Sequence, residues 1–530
     1  MYAERREHPR SSGRVIATVL AVAATLVTLC TANGDSVVWQ TGAVDGLGDG
    51  PAPDRRHFST SEHAGKVPTA PMPHGRRVIT EQAPTSGRTI KVAKDGSGDA
   101  TSVQDAAEQA QAGDTVLISA GEYPEALAPP RDGSSGAYIT FQAAPGAAVV
   151  LDGSGGESAG NGLVDLSGRS FIKLVGLSFK GSSTHGVYAE GASDIVIRDS
   201  EVDGSTNGGM VFLGSSNILI EHSEVHGSNS AGTSASHEAI SFDGSDGFEV
   251  AYSVVSDNGE EGIDAKYDSR NGKIHDNTVK NNRGPNIYVD SANTVEVYNN
   301  LVVGTTEGSK AGISLAVEDL SDSRRTFGVK VYNNVVVNNA GGGIGFWTES
   351  SGSFEDIHIV NNTVANNSNG GLNIVSGDFG GKNLLRNNIF SGNDEDVAGG
   401  ADGFTADHNL FSEGGIGSAL INGVVRFVDT TADDLRLTPG SAGVDAGSTA
   451  DAPQFDITGA KRPTDGKIDI GAYELSGDGA PTRTDIQAGA DPPEVVVPQV
   501  PAPVAPAAPS PGEEGLSPAS GSAQRAQSRS

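Results

Sequence analysis

Lys266 is flanked by Asp243 and Asp290 at intervals of 23 and 24 residues, and Asp264 stands two positions before it. The stretch Glu261-Gly262-Ile263-Asp264-Ala265-Lys266 sets two acids and an amine within six residues. Close by are His237-Glu238, Glu260, Asp268, Arg270 and Arg283, with Tyr288 and, further on, Trp347 as aromatic surfaces. Side chains of these types support three kinds of chemistry. Carboxylates can hold a hard divalent cation through oxygen. Two carboxyl groups can divide the work of general acid and general base. A lysine whose charge is suppressed can take a proton. A bland reading competes with all three, because Asp and Lys on neighbouring strands also neutralise one another in a solvated ladder. The choice turns on whether the fold gathers these residues on one face.

The elements that must position them form a repeat. Alternating apolar segments recur as IKLVGLSF, IVIRDSEV, ILIEHSEV, FEVAYSVV, GKIHDNTV, VEVYNNLV, VKVYNNVV, IHIVNNTV and KNLLRNNIF. Anchored on the last Asn of Tyr-Asn-Asn, the copies fall at Leu177, Ser200, Ser223, Ser253, Asn277, Asn300, Asn334, Asn362, Asn388 and Asn409, at intervals of 21 to 34 residues. Each period holds a second strand that begins Gly-apolar, such as Gly262-Ile263 and Gly312-Ile313. Short strands, corner glycines and a fixed corner Asn suit a parallel β-helix, in which stacked amides hydrogen-bond from rung to rung. Side chains alternate with period two. Ile240, Phe242, Ile263, Ala265, Ile287 and Val289 therefore point inward, and the pairs Ser241/Asp243, Asp264/Lys266, Tyr288/Asp290 and Gly345/Trp347 point outward. This register stacks Asp243, Lys266 and Asp290 on one exterior face at roughly 4.8 Å per rung. Ser102-Val103-Gln104-Asp105 has the form of a capping box, so a short helix near 102–111 is expected to cover the open N-terminal end.

Composition narrows the functional classes. The 530 residues carry 36 Lys+Arg against 67 Asp+Glu, a net charge of −31, which disfavours nucleic acid and anionic membranes as partners. A single cysteine excludes a disulfide scaffold and any multi-thiolate metal site. Arg5, Arg6, Arg10 and Arg14 precede the apolar run from Val15 to Leu29, which reads as a secretory signal over 1–32 cleaved after Ala32. Lipidation at Cys30 is the lesser alternative, since Leu29 is large for that cleavage. No later run is long enough to insert in a membrane. Residues 33–88 read as a disordered leader and 476–530 as an extended Pro/Ala-rich tail, leaving 89–475 to fold.

The folded stretch resembles the secreted right-handed parallel β-helix proteins of bacteria, the pectin-lyase-like superfamily. The resemblance is carried by Ile90-Lys91-Val92 with Asp95-Gly96-Ser97-Gly98, by Ala112-Gly113-Asp114-Thr115-Val116 and Gly121-Glu122-Tyr123, and by the closing Leu437-Thr438-Pro439-Gly440-Ser441, Asp445-Ala446-Gly447 and Asp469-Ile470-Gly471-Ala472-Tyr473-Glu474. It implies an all-β, single-stranded right-handed parallel β-helix of about ten rungs with a short N-terminal capping helix. Locally, Glu261 to Lys266 is similar to the family-nine polysaccharide lyases, which use a lysine base and an aspartate-rich calcium site. That resemblance implies a secreted, monomeric enzyme acting on an anionic polysaccharide by Ca²⁺-assisted β-elimination. Lys266 and Asp264 would be catalytic, Asp243, Asp264, Asp290 and Glu261 would hold the metal, and His237, Tyr288, Arg283 and Trp347 would contact substrate. Two alternatives remain open at this level: a glycoside hydrolase or epimerase using paired Asp on the same face, and a non-catalytic glycan-binding surface protein.

Overall fold

The computed structural model describes residues 87–463 and 466–475. The expected signal segment, nearly all of the leader and the Pro/Ala-rich tail lie outside the described residues. Short alternating strands wind into three parallel sheets, each strand pairing with its counterpart one turn later. Sheet one runs from Thr89–Val92 through thirteen rungs to Phe404–Asp407, sheet two has twelve strands from Gly121–Tyr123 to Leu410–Phe411, and sheet three has ten from Gly162–Asp165 to Val397–Ala398. The result is a right-handed parallel β-helix of about 13 turns rather than ten. The uncounted turns are the first three, Thr89–Val92, Thr115–Ile118 and Ile139–Ala143, which precede the corner motif and so escaped the repeat. Inward Val, Ile, Leu and Phe from all three sheets fill one continuous core.

The corners explain the polar repeat. Asn299, Asn333, Asn361 and Asn387 turn the chain at φ near +54°, a conformation in which Asn is enriched. The Asn that follows each of them points inward and builds a ladder. Asn300 Nδ2 donates to Asn334 Oδ1 at 3.0 Å, Asn334 to Asn362 at 3.0 Å, Asn362 to Asn388 at 3.0 Å and Asn388 to Asn409 at 3.0 Å. Ser200, Ser223 and Ser253 continue the same column with hydroxyls that accept from backbone N–H groups. A second ladder at the next corner links Asn258, Asn282, Asn286, Asn339, Asn367 and Asn393. A shorter one of Ser215, Ser245 and Ser269 sits at the third.

Both ends are finished. The helix Val103–Gln109 buries Val103, Ala106 and Ala107 against the first rungs. Ser102 caps it by accepting from Asp105 N at 3.1 Å, but the reciprocal half of the box comes from Glu125, which receives Val103 N and Gln104 N. At the other end, Leu435, Ile457, Ala472 and Tyr473 fold back over Val335, Val337 and Ala365 on the outer side of sheet two. Arg462 and Glu474 make a fully buried ion pair at 2.7 Å within that segment. No helix among the described residues is long and apolar enough to cross a membrane.

Candidate active site on the third sheet

The outward columns of sheet three are those expected from alternation. Asp243 pairs with Lys266, Lys266 with Asp290, Asp290 with Ala316 and Ala316 with Trp347. Beside this column runs Ser241, Asp264, Tyr288, Ser314 and Gly345. The face differs from a solvated ladder in one respect: it is covered. Asp264 and Asp290 are 0% exposed and Lys266 is 9% exposed. Two insertions supply the cover, and they fall in the two longest periods of the repeat, 30 and 34 residues. The first brings Glu238, and the second brings Glu318.

Glu238 and Asp264 hold the lysine between them. Lys266 Nζ lies 2.5 Å from Glu238 Oε1 and 3.0 Å from Asp264 Oδ2. Ser241 Oγ donates to the other Glu238 oxygen at 2.7 Å. Burial by itself would lower the lysine pKa, but Asp264 and Glu238 overcome it and hold the ammonium well above its ordinary value. Burial likewise pushes Glu238 up, and Lys266 more than reverses this, so Glu238 stays ionised below the usual carboxylate range. Asp264 goes the other way: burial, then the charges of Glu238 and Glu261, raise it well above its ordinary value despite Lys266. Asp264 accepts from no backbone N–H or hydroxyl; its polar contacts are the ammonium and Glu238.

Around this core stand groups poised near neutrality. Glu261, 3.8 Å from Lys310 Nζ, is pushed up to about 7 by burial and then by Glu238. Asp290 is pushed up to about 7 by burial and then by Glu318; its Oδ1 accepts from Ser291 Oγ and Glu318 N, each at 2.8 Å, while Oδ2 has no hydrogen-bond partner. Asp243 is half-buried and raised, chiefly by burial. Glu318 accepts from Tyr288 OH at 2.8 Å and Tyr267 OH at 2.7 Å. The Tyr267 ring lies 5.2 Å from Lys266 Nζ.

Not all of the expected site residues come together. The four proposed metal ligands do not converge, and among the described residues no three His, Cys, Asp or Glu side chains form a group able to hold a metal ion. The reason is local: Asp243 and Asp290 lie on opposite sides of Lys266 in one column, Asp264 lies in the next, and the ammonium itself fills the space beside Asp264. Arg283 is spent at a corner on Glu260 at 3.2 Å and Glu307 at 3.3 Å. His237 is half-buried at the rim, with Nδ1 2.8 Å from Ser236 Oγ and its ring 5.4 Å from that of His185. Tyr288 is in the predicted column but buried under Glu318. Trp347 is half-buried in the Lys266 column, three rungs away. Sequence reasoning set Glu238 beside the cluster without giving it a role, and missed Tyr267, Glu318 and His185. The last of these anchors the first insertion, with Nδ1 2.7 Å from Asn161 O and Nε2 3.2 Å from Ser236 O. The signal that could have drawn Glu238 and Glu318 into the site was the length of those two periods.

Residues 162–320, which include the whole cluster, match the family model described as a right handed beta helix region. No curated protein matches the chain in sequence. Among solved structures, pectate lyase Pel9A is 15% identical over 74% of this chain and 97% of its own, with a TM-score of 0.46. XylC in complex with xylose is 12% identical over 73% and 98%, also at 0.46. The polygalacturonase from Erwinia carotovora ssp. carotovora is 14% identical over 55% and 94%, at 0.39. At such identities the likeness is one of fold alone.

Proposed function

We propose that this protein is a secreted carbohydrate-active enzyme that cleaves a uronate-containing polysaccharide by β-elimination on the outward face of sheet three. The observation that carries the reading is one lysine, Lys266, buried and kept charged by Glu238 and Asp264. Elimination requires a positive charge near the substrate carboxylate, a base for the adjacent carbon acid and a proton donor for the departing oxygen. Lys266 takes the first part. A lysine held protonated by two acids is a poor base, so it serves as the fixed cation for the enolate-like charge instead. Glu261, ordinarily raised to about 7, takes the proton. The carbon–oxygen bond at the neighbouring carbon breaks, a carbon–carbon double bond forms, and Tyr267, whose phenol burial keeps protonated, supplies the leaving oxygen with its proton. His237 and Trp347 offer ring surfaces for sugars on either side.

A second reading has one observation in its favour. Lys266 overcomes burial to lower Glu238, while burial and Glu238 raise Asp264, a split in the direction that a pair of hydrolytic carboxyls requires. Against it, the two acids are hydrogen-bonded to each other and both touch Nζ, so no glycosidic oxygen is flanked by them. The test is to offer pectate, alginate and glycosaminoglycans to the purified protein, following the unsaturated-uronate absorbance and released reducing ends together. Both signals rising on a uronate polymer supports elimination. Reducing ends without absorbance moves the assignment to hydrolysis, and silence in both leaves a glycan-binding protein.

A further inference from the structure

We infer that the outward face of sheet three beyond Asp290 is a binding strip for uncharged sugars, so that the substrate is a heteropolysaccharide in which a uronate is followed by neutral sugars rather than a polyuronate. Placing the uronate at Lys266 rests on the proposed elimination; the strip itself does not. Three observations lead there. Among the described residues, Lys266 is the only Lys or Arg at an outward position of the ten strands of sheet three, and the acids Asp165, Glu190, Asp243, Asp264 and Asp290 share its columns. Past Asp290 the charge stops: one column continues as Ala316, Trp347 and Val375, the other as Ser314, Gly345, Asn373 and Ala398. Val375, whose N–H donates to Phe346 O at 2.9 Å and which therefore sits one rung beyond Trp347, is 69% exposed.

Charge favours that occupant. A polyuronate laid along these columns carries a carboxylate on every sugar, and only one of them meets a cation. Like charges brought together across an interface cost affinity. The turns that follow the strip's strands add to the repulsion, because Glu349 and Asp378 are exposed acids. Nearby cations are already spent: Lys310 Nζ lies 3.8 Å from Glu261, and Arg324 pairs with Asp319. Uncharged sugars need an apolar surface with neutral hydrogen-bonding groups beside it. Trp347 and the exposed Val375 supply the first. The hydroxyls of Thr348 and Ser376, 3.2 Å apart, and the half-buried Asn373 supply the second. At roughly 4.8 Å per rung, Val375 lies about 14 Å past Asp290 along the solenoid, a length for more than one sugar.

The test reads binding, so its failure and that of the elimination are distinguishable. Retardation in affinity gels compares matched polymers: pectate against a polymer alternating galacturonate with rhamnose, and alginate against hyaluronan, in which glucuronate alternates with an uncharged sugar. The alternating member of at least one pair is expected to bind at least about tenfold more tightly at low ionic strength. That gap should narrow as salt screens the repulsion. Val375→Lys, a change at an exposed position, is expected to tighten the polyuronate severalfold relative to its alternating counterpart. An alternating polymer held tightly but never cleaved would sink the elimination and support this inference. Polyuronates bound as tightly as their alternating counterparts in both pairs, a Val375→Lys ratio equal to the wild type's, or no binding in either pair would overturn it.

Discussion

Two regions of this solenoid bury polar side chains, and they treat them in opposite ways. At the corner between sheets one and two, each inward Asn from Asn300 to Asn388 donates to the next rung and accepts from the one before. On the outward face of sheet three, the Asp264 carboxyl is buried with no backbone or hydroxyl donor and Asp290 Oδ2 with no hydrogen-bond partner. Buried polar groups in native structures are nearly always satisfied, so exceptions call for an explanation other than folding. The corner is what stability alone produces. The sheet-three face spends stability on holding charge in a chosen state.

The contrast can be broken at its stable side first. Asn334→Ala removes Oδ1, the acceptor for both Asn300 N and Asn300 Nδ2, and the donor to Val297 O. Leaving these groups unpaired is expected to cost about 4 kcal/mol in denaturant unfolding. A loss under about 1 kcal/mol would show that water replaces the amide and that the ladder is ornamental.

The chemical side should reveal itself in the pH dependence of stability. Glu261 and Asp290 have folded-state pKa values raised to about 7. A carboxyl raised on folding stabilises the protein while protonated, so stability is expected to fall as pH rises from about 4 through 7, by at most about 4 kcal/mol for each. The double variant Glu261→Gln/Asp290→Asn should flatten that limb. His275 provides a separate window. Burial lowers its pKa, but Asp276 at 2.7 Å and Glu249 at 3.2 Å reverse this and raise it to about 9. Its contribution is complete below about 6.5, the unfolded value, and is lost as pH rises through about 9. His275→Gln should remove that second decline and leave the first, as followed by melting at successive pH values. The smallest effect is expected from Trp347→Ala: a severalfold rise in KM with kcat and melting temperature unchanged, as for a sugar platform remote from the reacting bond.

Much of this was legible in the sequence because a solenoid makes spatial neighbours out of residues one period apart. The outward column of Asp243, Lys266, Asp290 and Trp347, and the corner column from Leu177 to Asn409, follow from period-two alternation and a constant offset. The second Asn ladder was not seen, since Asn282 and Asn286 sit at a corner of variable length and lack a fixed distance from the strand. Burial of the site was hidden for a related reason. Alternation marks Asp264 and Lys266 as facing out, but cannot say that Glu238 and Glu318, from insertions outside the repeat, fold over them. That cover buries what would otherwise be a solvated charge ladder, and on the proposed reading Lys266 acts as a fixed cation rather than as the base.

The most direct test of this account is the rate of unsaturated-uronate formation by Asp264→Asn on whichever polymer the wild type cleaves. Asp264 Oδ2 lies 3.0 Å from Lys266 Nζ, and the isosteric amide keeps the packing while removing that acid. The same change loosens the ammonium that must face the developing charge, and the account predicts a rate at least about 100-fold lower. A variant of native stability that forms product at the wild-type rate would contradict it, and would return the sheet-three cluster to the ranks of ordinary buried ion pairs.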